Sequence, residues 1–167
     1  MIYIKIGQMM RYGLLLLLLF THVSIAEELT LPIAKDFLMD SQKVWKQKIP
    51  ILIMFSIPNC SYCEKIKEDV LSPMATMDEY NEKIIIRHID AQSFDVLNNF
   101  YNEEITHNEF AFKYAVNFFP TVVLVDNYGS TLGKIIGVPS EDLYWTDLDE
   151  VIEKSTKKLH QRMSATL

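Results

Sequence analysis

Short apolar runs alternate with longer amphipathic stretches along most of this chain. Residues 51–57 (ILIMFSI) form a continuous apolar run with the length of a buried central strand. Residues 83–90 (KIIIRHID) are rich in β-branched side chains and predict a second strand. Residues 121–126 (TVVLVD) predict a third strand, which the turn residues at 127–130 join to a fourth at 131–137. The last two strands therefore form a predicted hairpin.

The stretches before and between these strands have the spacing of helices. Apolar side chains share one face over residues 35–48, which predicts a helix. The pattern is helical again from 61 to 77, and Pro73 is expected to kink or break that helix. The polar and mixed segment after the second strand contains a further helical stretch at 94–101.

Two more helices are indicated by their starting residues. Thr106 and Glu109 have the spacing of a capping box, which predicts a short helix that ends near residue 116. Ser140 can cap a last helix that runs to about residue 159. The side chains of this region expected to face the core are Phe110, Tyr114 and Phe118. The order α-β-α-β-α-β-β-α predicts an α/β fold, with a central mixed sheet of four to five strands flanked by helices on both faces.

The first 26 residues have the pattern of a secretory signal peptide. Lys5 and Arg11 supply a positive start, and residues 14–20 (LLLLLLF) are an unbroken apolar run. Small residues occupy the two positions that a signal peptidase reads before residue 27. We therefore expect residues 1–26 to be cleaved and residues 27–167 to form one exported domain.

A membrane anchor is the alternative for this segment. A spanning helix needs roughly 20 apolar residues, and the apolar run is about half that length. We therefore expect no stable membrane anchor. A hydrophobic content of 49% is ample for a packed core. The formal net charge is −6 and no basic patch stands out, so we do not expect nucleic acid as a partner.

The chain has two cysteines, and both lie in the sequence Cys60-Ser61-Tyr62-Cys63. A structural disulfide stabilises mainly by closing a long loop, and a bridge across two residues closes almost none. In an exported chain this pair therefore favours redox chemistry over a structural role. Cys60 follows a predicted buried strand and lies at a predicted helix N-terminus, where N–H groups and the helix dipole stabilise a thiolate. Cys63 lies one turn further on, within reach of a mixed disulfide at Cys60.

The same C-x-x-C spacing occurs in zinc sites, which need a second pair of ligands. The chain has no further cysteine, and its four histidines are scattered. They are His22, His88, His107 and His160. We therefore expect neither a bound metal nor a cofactor.

Pro120 begins the third predicted strand, a position that suits proline because it has no N–H to donate to the sheet. Taken alone, it would be an ordinary trans-proline. Residues 51–63 (ILIMFSIPNCSYC), together with residues 119–123 (FPTVV) and Gly137, resemble the thioredoxin superfamily. The resemblance covers about residues 35–160 and is greatest to bacterial periplasmic thioredoxin-like proteins of the SoxW type.

This resemblance implies a thioredoxin fold in the periplasm and assigns a role to each cysteine. Cys60 would be the exposed attacking thiol and Cys63 the buried resolving thiol. The resemblance also implies that Pro120 is cis and packs opposite the cysteines, and that the backbone of Phe119 pairs with a substrate polypeptide. The expected substrate-binding residues are Ser61, Tyr62, Phe119 and Pro120.

Three positions depart from thioredoxin itself. Asn59 precedes the first cysteine, where thioredoxin has tryptophan, and the bulky Phe119 precedes the proline, where a small or β-branched residue is usual. Met54 occupies the place of a buried acid that serves proton transfer to the resolving thiol. The proton path then needs water or another group, for which Glu64 and Lys65 are candidates. Charges in the first turn of a helix are, however, more often only solvated.

We therefore predict a periplasmic thiol–disulfide oxidoreductase that reduces protein disulfides. Its expected partners are protein thiols and disulfides and, as the resemblance implies, a membrane electron donor or acceptor; we expect a monomer. The direction depends on the reduction potential, so a disulfide oxidase stays open. A non-catalytic adaptor or a Cu(I) metallochaperone is the other alternative, although the histidine ligand usual near the hairpin of such chaperones is missing. Residues 94–106 are either an insertion that shapes partner binding or an extra helix that covers the sheet.

Overall fold

The computed structural model describes residues 30–165, so the predicted signal peptide lies outside the described residues. Its helices are α1 (Phe37–Gln47), α2 (Ser61–Ile66), α3 (Ser72–Thr76), α4 (Asp78–Asn81), α5 (His107–Lys113) and α6 (Tyr144–Ala165). A π-helical segment, Lys67–Leu71, joins α2 to α3. The strands are β1 (Ile51–Ser56), β2 (Ile85–Asp90), β3 (Val96–Asn98), β4 (Glu104–Thr106), β5 (Thr121–Val125) and β6 (Thr131–Ile136).

A four-stranded mixed sheet in the order β2-β1-β5-β6 forms the centre of the fold. The central strand β1 is parallel to β2 and antiparallel to β5, and β5 pairs antiparallel with β6. Every residue of β1 and β5 is buried, which accounts for their continuous apolar sequences. The predicted mixed sheet and the predicted hairpin over 121–137 are confirmed.

Helices cover both faces of this sheet. On one face the rings of Phe37 in α1 and Phe110 in α5 stack with centroids 4.6 Å apart, and Phe110 packs on Phe55 of β1. On the other face α6 lies against β6, where Gly133 allows a close approach. A Cβ at Gly133 would lie 2.8 Å from Cγ1 of Val151, so any larger residue would push the helix away.

Side-chain caps fix where two of the helices begin. The carboxylate of Asp36 accepts a hydrogen bond of 2.8 Å from the Met39 N–H and starts α1. Thr106 Oγ1 accepts from the Glu109 N–H at 3.2 Å, and the Glu109 carboxylate accepts from the Thr106 N–H at 2.8 Å. This pair of bonds confirms the predicted capping box at the start of α5.

The predicted helix over 94–101 is wrong. This segment instead forms β3 and leads into an antiparallel hairpin with β4. The buried side chain of Asn99 determines the turn, because its Oδ1 accepts hydrogen bonds from the N–H groups of Tyr101 and Glu103. An amide that bonds its own neighbouring backbone offers the chain an alternative to the helix. Asn102 completes the turn with a left-handed backbone at φ 61.

The predicted helix over 61–77 departs from regular α geometry before Pro73 is reached. In the segment Lys67–Leu71 the hydrogen bonds shift to π spacing, and the Ser72 N–H donates to the Lys67 carbonyl. Pro73 has no N–H and its ring would clash with the carbonyl four residues earlier in a regular helix. In the structure Pro73 follows the π segment and lies in the first turn of α3, a position that tolerates proline.

The last helix was predicted to end near residue 159 and extends instead to Ala165. Its final turns are held by tertiary contacts, since the guanidinium of Arg162 donates to the buried carboxylate of Asp126 at 2.7 Å. Within residues 30–165, no helix is both long enough and apolar enough to cross a membrane.

Candidate redox site

Cys60 and Cys63 form a disulfide at the start of α2, directly after the turn that leaves β1. Asn59 in this turn has a left-handed backbone at φ 58. Cys60 is the N-cap residue, and its Sγ accepts a hydrogen bond of 3.2 Å from the Cys63 N–H. A thiolate at this position would receive the same N–H group and the positive end of the helix dipole, which both stabilise negative charge on sulfur.

The two cysteines differ in their access to solvent. Cys60 is partly exposed, whereas Cys63 is fully buried. Cys63 and Ile66 form the buried side of α2 and anchor it on the core. Of the two cysteines, therefore, Cys60 is the one that another polypeptide can approach. This asymmetry matches the roles that the resemblance implied.

The loop before β5 lies beside the C-x-x-C turn. The Phe119–Pro120 peptide bond is cis, which confirms the expected isomer. The Pro120 carbonyl accepts a hydrogen bond of 2.8 Å from the Gly137 N–H, and Thr121 Oγ1 donates to the Phe118 carbonyl at 2.7 Å. The first bond holds the loop against the residue that follows β6, and the second closes the loop on itself.

A groove of about 350 Å³ runs between this loop and the C-x-x-C turn. It brings together three residues expected to bind substrate: Tyr62, Phe119 and Pro120. Ser61, the fourth, is exposed at the start of α2 and does not line the groove. The lining residues that the sequence did not identify as site residues are Phe118, Ile136, Gly137, Val138 and Pro139.

Phe118 was expected to face the core, and this expectation is wrong. Its side chain is 61% exposed and lies on the wall of the groove. The chain turns sharply at Ala115, whose φ of 50 is rare for a residue with a side chain, so helical spacing no longer applies beyond that point. Gly137, which the resemblance had singled out, is the residue against which the Phe118 ring packs.

The sheet places a histidine beside Met54, the residue that occupies the position of the buried acid of thioredoxin. Met54 is fully buried and pairs in register with His88 of β2. His88 Nε2 lies 2.7 Å from Ser56 Oγ. Burial, together with the positive charge of Lys67, lowers the pKa of His88 from its ordinary value. The ring is therefore neutral near pH 7 and hydrogen bonded to the end of β1.

The two candidates for proton transfer are engaged in ion pairs. Glu64 pairs with Lys67, and Lys65 lies 3.5 Å from both Asp69 and Glu141. The carboxylates of Glu141 and Asp69 raise the pKa of Lys65. Both groups are thus surface charges with partners, and the contact between Lys65 and Glu141 ties α2 to the turn before α6.

A partly exposed and a buried cysteine, joined by a disulfide at a helix N-terminus beside a cis-proline loop, form an arrangement that can carry out thiol–disulfide exchange. The model of the thioredoxin-like domain family matches residues 39–152. The chain therefore belongs to this family, and the expected superfamily and fold are confirmed. Within residues 30–165, no group of three or more His, Cys, Asp or Glu side chains is placed to hold a metal ion.

Several solved structures are similar to this chain in fold. The thioredoxin of Fasciola hepatica is 19% identical, with 74% of this chain and 98% of that chain covered and a TM-score of 0.51. The thioredoxin NaTrxh of Nicotiana alata is 17% identical, with coverage of 74% and 94% and a TM-score of 0.50. The periplasmic thioredoxin SoxS of Paracoccus pantotrophus is 23% identical, with coverage of 64% and 98% and a TM-score of 0.45. No curated protein sequence matches the chain. At these identities the first two structures support the fold alone.

Proposed function

We propose that this protein is an exported thiol–disulfide oxidoreductase that reduces protein disulfides through Cys60 and Cys63. One observation carries the proposal: the partly exposed Cys60 is bonded to the buried Cys63 at the N-terminus of α2. The substrate would bind in the groove that Tyr62 and the cis Pro120 line.

The reaction follows from the difference between the two sulfurs. In the reduced protein the Cys60 thiolate attacks one sulfur of a substrate disulfide, and the other substrate sulfur leaves as a thiolate that takes up a proton. The mixed disulfide is then attacked by the deprotonated sulfur of Cys63, which releases the second substrate thiol and forms the Cys60–Cys63 disulfide. Two electrons pass from the protein to the substrate, and a dithiol donor must return them.

The sequence pattern of residues 1–26 supports export, and the resemblance supports a membrane protein as the electron donor. We propose that the mature protein begins at Glu27 and acts in the periplasm as a monomer. N-terminal sequencing of the protein recovered from the periplasm of an expressing Gram-negative host tests this directly. A start at Glu27 supports export, whereas an intact N-terminus in the cytosolic fraction contradicts it.

Insulin reduction tests the catalytic proposal. With dithiothreitol as the electron source, the wild type should precipitate the insulin B chain faster than dithiothreitol alone. The Cys60→Ser variant should fall to the dithiothreitol background, because it lacks the attacking thiol. Equal rates for the two proteins would contradict the proposal. Tight Cu(I) retention by a wild type that does not reduce insulin would instead favour a metallochaperone.

The reduction potential of the Cys60–Cys63 pair tests whether the protein reduces or oxidises its substrates. Equilibration with glutathione buffers should give a reduction potential more negative than roughly −200 mV. For comparison, the potential of thioredoxin is about −270 mV. A value near that of a strong oxidant, about −120 mV, would contradict the reductase and favour a disulfide oxidase.

A further inference from the structure

The buried thiol of Cys63 needs a group that takes its proton, because the deprotonated sulfur is the form that attacks the mixed disulfide at Cys60. A thiol buried in apolar surroundings gives up its proton less readily than an exposed one. Met54, at the position of the buried acid of thioredoxin, offers no base. Glu64 and Lys65 are exposed and already held in ion pairs. The sheet beneath α2 is the other place where a base can lie.

The sheet carries a histidine on the same face as Met54. Phe55 of β1 packs on Phe110, on the face that α1 and α5 cover, so its neighbours Met54 and Ser56 point to the opposite face. His88 of β2 pairs in parallel register with Met54, and its Nε2 lies 2.7 Å from the Ser56 Oγ. The hydrogen-bonded pair of Ser56 and His88 therefore lies at the end of β1, from which the chain continues into the C-x-x-C turn.

The C-x-x-C helix covers this pair. The charges of Glu64 in α2 and of Lys67 in the π-helical segment act on the His88 ring, so both segments lie close to it. Cys63 is on the buried side of α2, which packs on the core. The Cys63 thiol and the pair of Ser56 and His88 thus face the same space between the helix and the sheet.

The electrostatic surroundings of His88 suit a proton acceptor. Burial and the positive charge of Lys67 lower its pKa, so the ring is neutral near pH 7 and one ring nitrogen can accept a proton. His107 of α5 acts in the same direction, whereas Asp90 on β2 and Glu64 on α2 act in the opposite one. These two carboxylates stabilise an imidazolium that forms only during the reaction.

Resting on the proposed function, we propose that His88 takes over the task of the missing acid and receives the proton of Cys63 through the hydroxyl of Ser56. Ser56 gives its own proton to His88 Nε2 and takes up the proton of the Cys63 thiol. The Cys63 sulfur then bonds to the Cys60 sulfur, and the bond between Cys60 and the substrate sulfur breaks. Its electron pair leaves with the substrate thiolate, which solvent protonates. His88 acts through Ser56 and not on the sulfurs directly, which makes it a positioning residue, and its partly exposed ring returns the proton to solvent.

The aromatic disulfide dithiobis(nitrobenzoate) separates the attack of Cys60 from that of Cys63. The prereduced protein releases one coloured thionitrobenzoate when Cys60 attacks the reagent, and a second when Cys63 displaces the adduct from Cys60. The first phase depends on the reagent concentration and the second does not, so stopped-flow absorbance resolves the two. Acid quenching and intact-mass spectrometry identify the adduct between them.

The pH dependence of the second phase should change when His88 is replaced. In the wild type its rate should level off by about pH 6.5, where the imidazole is neutral, and rise again only when the thiol itself ionises at higher pH. His88→Gln removes the base, so its rate should be at least about tenfold lower at pH 7. Without the base the rate follows the thiolate fraction alone and should rise about tenfold per pH unit with no level region.

Two further variants complete the design. Ser56→Ala removes the relay but keeps the ring, and it should slow the second phase and abolish the level region as well. His160→Gln is the matched control, because His160 is an exposed histidine on α6 that bonds the Lys48 carbonyl, and it should keep both phases. The first phase should stay within about twofold of the wild type in every variant, since Cys60 is untouched. If His88→Gln loses the first phase by misfolding, Ser56→Ala decides by the same criterion.

Two results would overturn the proposal while insulin reduction by the wild type leaves the proposed function intact. One is a second phase in His88→Gln and Ser56→Ala that matches the wild type in rate and pH profile. The other is a slower second phase that keeps the level region of the wild type, which is the result of a structural role alone. A wild type that stops at the adduct and does not reduce insulin would overturn the proposed function itself and is therefore distinct from both.

Discussion

The ring of Phe118 lies against Gly137, so closely that a Cβ on the glycine would come within 2.9 Å of the ring. The two residues belong to different walls of the groove, one to the loop before the cis Pro120 and the other to the end of β6. Two features therefore favour glycine at position 137: the positive φ and the Phe118 ring that lies against the backbone. The contact also sets how far the aromatic side chain projects beside the disulfide.

The first prediction concerns Gly137→Ala. The left-handed backbone at φ 68 should cost about 1–2 kcal/mol of unfolding free energy in alanine, and the ring must move as well. Urea denaturation of the reduced proteins measures the loss. In a Phe118→Ser background the same substitution should cost less, because only the backbone component remains. Equal losses in the two backgrounds would show that the ring does not crowd the glycine.

A second prediction rests on the ion pair between Asp40 and Arg87. The guanidinium donates from Nε to Oδ2 of Asp40 at 2.6 Å, and a second nitrogen reaches Oδ1. The Asp40 side chain is almost fully buried, with Lys43 as a weaker second partner. Arg87→Met should therefore lower the unfolding free energy by about 3 kcal/mol, since it leaves a buried carboxylate poorly compensated.

Double substitution is the control for this prediction. Asp40→Leu combined with Arg87→Met removes both charges and should be more stable than Arg87→Met alone. Urea titrations of the wild type, both single variants and the double variant complete the cycle. If the double variant loses as much unfolding free energy as the two single variants together, Asp40 and Arg87 are not coupled and the prediction is contradicted.

A third prediction concerns pH and His88. Its pKa in the folded protein is lowered, first by burial and then by Lys67, while the charges of Asp90 and Glu64 act in the opposite direction. The unfolded chain, with an ordinary pKa of about 6.5, then binds the proton more readily than the folded protein. The stability contribution of neutral His88 is present above about pH 6.5 and is lost as the pH falls below that value.

Denaturation curves of the wild type and of His88→Gln at a series of pH values test the predicted direction of this pH dependence. The difference in unfolding free energy between them should shrink as the pH falls below about 6.5. Ser56→Ala is the matched control, because it removes the hydroxyl that lies 2.7 Å from His88 Nε2 and keeps the titrating ring. It should be less stable than the wild type and keep the acid-side slope. A His88→Gln variant with an unchanged slope would contradict the assignment.

A fourth prediction separates two asparagines in the β3–β4 hairpin. Asn99→Ala should destabilise the hairpin by about 2 kcal/mol, because it removes the acceptor of two backbone N–H groups. Asn102→Gly should be neutral or stabilising, since glycine adopts the left-handed backbone at φ 61 more readily. Hydrogen exchange of the amides in Val96–Asn98 and Glu104–Thr106 reads out the hairpin directly. Similar effects of both substitutions would contradict this account of the turn.

The correct predictions of secondary structure rest on local sequence patterns that favour a single structure. The apolar run at 51–57 and the capping residues Thr106 and Glu109 each have one favoured structure, and both predictions are confirmed. The stretch 94–101 has aromatic residues at helical spacing, yet Phe94 and Tyr101 are exposed. The hydrogen bonds that the buried Asn99 side chain accepts from the backbone outweigh that weak periodicity, and spacing alone does not reveal them.

The redox site, like the fold, could be predicted from the sequence only in part. Cys60 and Cys63 were predicted from their spacing at a helix start, and the role of Pro120 was predicted from the resemblance to the thioredoxin superfamily. The apolar side chains that complete the groove, Phe118 and Ile136, carry no such signal, since their exposure depends on the turn at Ala115 and on the end of an edge strand. A pattern of apolar residues cannot tell which of them lie at a site.

Trapping of mixed disulfides tests the central claim most directly. The Cys63→Ser and Cys60→Ser variants, each with a single thiol, are incubated with a disulfide-bonded peptide and followed by intact-mass spectrometry. The partly exposed Cys60 of the Cys63→Ser variant should form a stable adduct quickly, whereas the buried Cys63 of the Cys60→Ser variant should react far more slowly. Equal adduct formation in the two variants, or none in either, would contradict the roles assigned to the two cysteines.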